Sequence, residues 1–132
     1  MIKAAGDTFR LSVADPHLWV VITTPVGKNG VFIAVNMTSI KNGVPKDGNC
    51  VILPGEHPFV VTETEMYYIK AREWQVSVFD SLASYGASFQ PNKPVTNALL
   101  LRIQQGALAS TFMETGFQKA VRRELGLSEP IA

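Results

Sequence analysis

His17 and His57 are the only two histidines in the sequence, and both fall at the mouth of an apolar run or in a turn. Histidine titrates near neutrality, so two imidazoles facing one phosphodiester could act as base and acid in attack by a 2′-hydroxyl, with no metal required. Thr38 and Ser39 stand together where another apolar run gives out. Hydroxyls at a strand end are free to donate to a phosphate or to the oxygens of its transition state. Each of these residues also has a plainer account, as a turn histidine with a local hydrogen bond or as a hydroxyl that closes a strand on neighbouring backbone. Cys50 has no cysteine partner and no helix start to lower its pKa, and it reads as packing.

Lys28, Lys41 and Lys46 lie in turns, and Lys70 and Arg72 follow the Tyr67-Tyr68 pair. With Tyr68 as a stacking ring, these residues could form a basic groove for single-stranded nucleic acid. Lysine in loops is also ordinary solvated surface. Twelve Lys and Arg against eleven Asp and Glu leave a net charge of +1, so RNA contact would rest on a local patch rather than a global field. Gly-rich phosphate loops, paired-cysteine zinc patterns, nucleophile elbows and His-Glu-x-x-His helices do not occur in the sequence, and no metal or cofactor is expected. One cysteine gives no internal disulfide. No apolar run approaches the roughly 20 residues of a membrane span, and no signal peptide is visible, so the expected compartment is cytoplasmic.

These groups need a scaffold, and the pattern of the chain divides it. By length, residues 1–132 make a single domain. Residues 1–90 carry β-branched and aromatic residues in short runs, and residues 91–132 carry longer segments of helical period. Phe9, Leu11 and Val13 alternate with polar neighbours, which predicts a strand over 8–13. Leu18 to Thr23 is apolar on both faces, as in a central strand, and Asn29-Gly30 predicts an antiparallel hairpin into a strand over 30–38. Further extended runs are predicted over 50–53, 59–62 and 66–71, with a short helix within 73–83. Pro91 to Pro94 reads as a break. A helix follows, capped at Thr96 or Asn97, and the cost of glycine, roughly 1 kcal/mol, places its end near Gly106. Thr111 and Glu114 at capping-box spacing open a last helix over 110–125 that Gly126 terminates, and 128–132 reads as a frayed end.

Gly6-Asp7 opening the first strand, the apolar second strand Trp19 to Thr23 and the third strand ending in Thr38-Ser39 resemble PemK/MazF-type toxins of bacterial type II toxin–antitoxin systems, over residues 6–72. The resemblance implies an α+β fold, a small antiparallel SH3-like β-barrel with two or three helices, mainly C-terminal. It further implies a homodimer that cleaves single-stranded RNA as a metal-independent endoribonuclease and is neutralised by a cognate antitoxin protein. By the same resemblance the active-site hydroxyl falls on Thr38, with Ser39 beside it. The family carries a Gly-x-Arg-Pro segment before its second strand, whose arginine serves catalysis. The equivalent place here reads Asp15-Pro16-His17-Leu18, so His17 is the residue that stands in for the arginine, while the turn that carries His57 has no counterpart in the family and its acid–base role rests on its chemistry alone. The missing arginine and the near-zero charge fit a second reading, a non-catalytic SH3-like module that binds a protein.

Overall fold

The structure, a computed structural model, describes residues 2–12, 15–84 and 90–127. Seven strands form one antiparallel sheet: β1 (Thr8–Arg10), β2 (Trp19–Val21), β3 (Val31–Ser39), β4 (Val51–Ile52), β5 (Thr64–Met66), β6 (Arg72–Gln75) and β7 (Gln90–Asn92). Their order is β4-β5-β3-β2-β1-β7, with β6 paired to β3. Helix α1 (Val76–Ser84) packs on one face, and α2 (Asn97–Ala109) and α3 (Thr115–Glu124) pack on the other.

The apolar run at β2 has the explanation that its composition suggests. Leu18, Val20 and Ile22 join the core beneath α2 and α3, while Trp19 and Val21 join the core beneath α1, so both faces are buried. β3 alternates in the same way, sending Ile33, Val35 and Met37 to one core and Phe32 and Ala34 to the other. Its nine residues also serve two partners along one edge, β6 at Val31 to Ala34 and β5 at Met37 to Ser39. On the α1 side Phe9 is the hub of an aromatic cluster, its ring centroid 5.2 to 6.4 Å from those of Trp19, Phe32, Trp74 and Phe79.

The sheet does not close into a barrel, which corrects the SH3-like barrel expected from the sequence. Its path ends on β4 and β7, which do not pair, and each end is stopped chemically. The Pro54-Gly55 turn cuts β4 to two residues. Arg102 of α2 then donates through Nη2 to the outward-facing Val51 carbonyl, 2.7 Å away. β7 has Pro91 at its centre, opposite Phe9, and proline has no N–H to offer a further strand. Residues 90–92 are therefore an edge strand, where the sequence had suggested a break from Pro91 onward. Arg102 also pairs through Nη1 with Glu56, and that contact, with Leu53 N donating at 2.8 Å, holds the Glu56 carboxyl below the ordinary carboxylate range. A carboxyl lowered by folding stabilises the native state above its unfolded pKa, about 4.3, and loses that contribution as pH falls through the lower folded value. The melting-temperature difference between wild type and Glu56→Gln should accordingly be present at neutral pH and shrink below about pH 4. A difference that persists undiminished in acid would show that the ion pair is not its source.

Elsewhere the elements shift where tertiary contacts override local pattern. The stretch expected to be extended at 59–62 contains no strand, and 66–71 splits into the end of β5 and a 3-10 turn at Tyr68–Lys70. The segment from 73 opens as β6 before turning helical at Val76. α2 begins as expected, with Thr96 Oγ1 accepting from Leu99 N at 3.1 Å, but it runs through Gly106 to Ala109. A side chain at Gly106 would overlap Tyr68 Oη and approach Asn49 O to 3.0 Å and Cys50 Cβ to 3.1 Å, so the glycine brings α2 against β4. The expected capping box does not form, because Glu114 makes no side-chain cap bond and α3 starts at Thr115. Ser110 Oγ instead accepts from Phe112 N and donates to Asp47 Oδ2 at 2.7 Å. Gly126, at φ +70°, ends α3 with Gly126 N on Arg123 O and Leu127 N on Arg122 O, the left-handed stop expected of it. Val13 and the expected frayed end at 128–132 lie outside the described residues.

Candidate functional site

Three of the four residues singled out for catalysis come together. His17, Thr38 and Ser39 line one cleft of about 380 Å³ with Lys41, Thr62 and Thr64, and the apolar Pro16, Met37, Phe59 and Val61 complete it. The hairpin makes this happen. Trp19 pairs with Asn36, and Met37 N donates to Leu18 O at 2.8 Å, so the next step of the register sets His17 opposite Thr38. There the backbone ladder gives way to a side chain. His17 Nδ1 lies 3.1 Å from Met37 O, and since a carbonyl only accepts, the proton is on Nδ1 and the neutral ring keeps its lone pair on Nε2. Asp15 Oδ1, accepting from His17 N at 3.0 Å, fixes the approach of the backbone.

Among the described residues, the cleft lining holds one imidazole, four hydroxyls and one ammonium, and no carboxylate. Of the hydroxyls, Thr64 Oγ1 is committed to Thr62 O at 3.0 Å. Thr62, Thr64 and the Phe59–Val61 wall are additions that sequence reasoning missed. Their signal was the Thr62-Glu63-Thr64 alternation, and it became a site only through the pairing of Ser39 with Thr64.

His57 stands elsewhere. It is 3% exposed, its Nε2 donates to Lys93 O at 2.6 Å, and its Nδ1 accepts from Phe59 N at 3.0 Å. Both ring nitrogens are thus occupied. The ring ties the turn 54–59 to the segment that leads into α2 and borders a separate cavity beside Lys93 and Thr96. The expected arrangement, two histidines facing one group, is not what the chain builds.

The residues expected to form a groove do not all come together. Lys28 sits in the β2–β3 turn, at the opposite end of β3 from Thr38, and eight strand steps of about 3.3 Å separate the two ends. Tyr68 is buried at 1% exposure and donates its hydroxyl to Ile103 O at 2.6 Å, and burial pushes its pKa up. It belongs to the core and cannot stack on a base. Lys41 lines the cleft, Lys46 Nζ lies 5.0 Å over the Tyr67 ring, and Arg72 lies 5.9 Å over Trp74. Lys70 is exposed on the 3-10 turn.

The 41–49 loop is held from below. Glu65, 1% exposed and paired with Thr38 across the strands, accepts from the backbone N–H groups of Lys46, Asp47 and Gly48 at 2.6, 2.8 and 3.0 Å. A buried carboxylate is tolerated when its charge is met by several donors, and hydrogen bonds to a charged group contribute about 1.5–3 kcal/mol each.

Among the described residues, no cluster of three or more His, Cys, Asp or Glu could hold a metal ion, and no helix is long and apolar enough to cross a membrane. No family model, curated protein or solved structure matches the chain.

Proposed function

We propose that the chain is a metal-independent endoribonuclease of the PemK/MazF-like toxin type, acting on single-stranded RNA in the bacterial cytoplasm. The observation that carries this reading is His17, whose Nδ1 is held by Met37 O so that Nε2 is left as a base in a cleft with hydroxyls and an ammonium. Nε2 takes the proton of the 2′-hydroxyl, and the oxygen attacks the neighbouring phosphorus. Thr38 and Ser39 donate to the non-bridging oxygens, and the Lys41 ammonium balances the added negative charge. The P–O5′ bond breaks, leaving a 2′,3′-cyclic phosphate, O5′ leaves with a proton from water in the cleft, and the protonated Nε2 returns its proton to the hydroxide that remains. His57 takes no part. β3, shared between β6 and β5 along one edge, supports kinship with the SH3-like toxins in an open form, and a homodimer with a cognate antitoxin follows from that kinship.

The experiment is incubation of purified protein with single-stranded RNA in excess chelator, followed by mapping of the ends. Cyclic phosphate and 5′-hydroxyl ends are expected, and intact RNA would reject the reading. A second reading, a non-catalytic protein-binding module, is favoured by the groove of about 420 Å³ between the β2–β3 hairpin and α3, where Val26 is 64% exposed above Val31, Ile33 and Ala120. Growth arrest on expression with the cell's RNA intact would select it.

A further inference from the structure

The face of the sheet that carries Thr38 continues past it with a second set of groups. Alternate residues of a strand share a face, and so do directly paired residues on neighbouring strands. Thr38, Asn36 and Ala34 of β3 therefore lie in line. Tyr67 N donates to Asn36 O at 2.9 Å, one step beyond the Met37–Met66 pair, so Tyr67 flanks Asn36. Arg72 pairs with Ala34 and Trp74 with Phe32. Along this line two cations sit on two rings, Lys46 on Tyr67 and Arg72 on Trp74. Lys46 and Arg72 are exposed, and the two rings are partly exposed.

Between those pairs is an unmet polar group. Asn36 is 8% exposed, and its Oδ1 has no hydrogen-bond partner among the described residues; Trp74 Nε1 is buried and unpartnered as well. A buried amide oxygen left unpaired costs about 1–3 kcal/mol, and an apolar side chain of the same shape would avoid that cost. The strand thus keeps a carboxamide where packing alone favours leucine or valine.

We infer that Asn36 reads a nucleobase of the RNA strand bound in the His17 cleft, with that base taking the place of Lys46 on the Tyr67 ring and the phosphates that follow it met by the displaced Lys46 and by Arg72. The inference rests on the RNA reading of the cleft and adds a position of base discrimination to it. Rings supply sequence-tolerant stacking and cations hold the backbone, while a carboxamide distinguishes bases by their edges.

The test measures binding of 2′-O-methylated, hence uncleavable, single-stranded homopolymers of each base to wild type, Asn36→Leu and Tyr67→Ala in chelator, beside each variant's melting temperature. Asn36→Leu should melt at or above the wild-type temperature and lose the wild type's preference among the four homopolymers, on the order of tenfold. Tyr67→Ala should weaken all four, by about tenfold. If Asn36→Leu keeps the wild-type preference, or if wild type binds all four equally, the inference fails while the cleft reading stands on its own cleavage assay. A fall in melting temperature for Asn36→Leu would make Asn36 a structural residue and overturn the proposal too. If wild type binds none of the four, both readings fall.

Discussion

His17→Ala is expected to reduce the rate of RNA cleavage by about 10²–10⁴-fold, the usual contribution of a positioned general base, or about 3–5 kcal/mol in the barrier. The substitution should cost little stability, because His17 is only partly buried and its ring is hydrogen-bonded to the Met37 carbonyl at the end of the hairpin ladder. Added imidazole should restore part of the rate, since the cavity left by the side chain opens on the cleft. His57→Ala should behave in the opposite way. It removes a 3% exposed ring and both of its hydrogen bonds, so the protein should melt earlier, while molecules that remain folded cleave at near the wild-type rate. Single-turnover kinetics at a temperature well below both melting transitions separates the two effects. Wild-type cleavage by His17→Ala would remove the base from the mechanism, and an equal loss in folded His57→Ala would return that residue to the chemistry.

Gly106→Ala carries the largest expected effect on stability. On helix propensity alone the change should gain about 1 kcal/mol. In this fold the new methyl would overlap Tyr68 Oη and press on Asn49 O and Cys50 Cβ, so either α2 lifts from β4 or the Tyr68 to Ile103 hydrogen bond breaks. Overpacking costs about 1–3 kcal/mol, and an orphaned buried hydroxyl and carbonyl add about 1–3 kcal/mol more. The net expectation is a loss of about 2–4 kcal/mol, or roughly 10 °C in melting temperature. Cys50 offers an independent readout. It is buried, and burial pushes its thiol pKa up, so the native protein should react slowly with a disulfide reagent and Gly106→Ala should react faster. A stabilised, unreactive variant would mean that α2 does not rest on β4 as closely as described.

The same residues mark what could be read from the sequence. The intrinsic cost of glycine pointed to a helix end at Gly106, and the contact that makes glycine necessary comes from residues 49, 50 and 68, which no local window contains. The tyrosine pair failed for a related reason. The alternation of β5 carries through the pair, with Met66 and Tyr68 both in the core beneath α2 and α3, but no local window shows which of the two rings that core takes. Tyr68 went to the core and Tyr67 to the surface. β2 was legible, and the cap of α2 to within Thr96 or Asn97, because burial on both faces and a side-chain cap write themselves into adjacent residues. The meeting of His17 with Thr38 was only half legible. Asn29-Gly30 announced the hairpin, but from the Val26–Val31 bridge to the Val21–Ala34 pair the chain takes five steps on one strand and three on the other. Counting outward from the turn would have set His17 against Ile40. The extra residues include Pro25, which cannot donate to a ladder.

The open sheet leaves the C-terminal helices with a duty that a closed barrel would not require. A barrel has no free edge to offer, whereas β4 ends this sheet with its outer carbonyl held by Arg102 and β7 ends it with a proline. The first of these guards is borrowed from a helix that a growing chain completes only after all seven strands have been made. Until α2 docks, β4 is a template on which a neighbouring chain could add its own strand. The docking of α2, which the glycine at 106 permits, is thus also the step that closes the β4 edge to a strand from another chain.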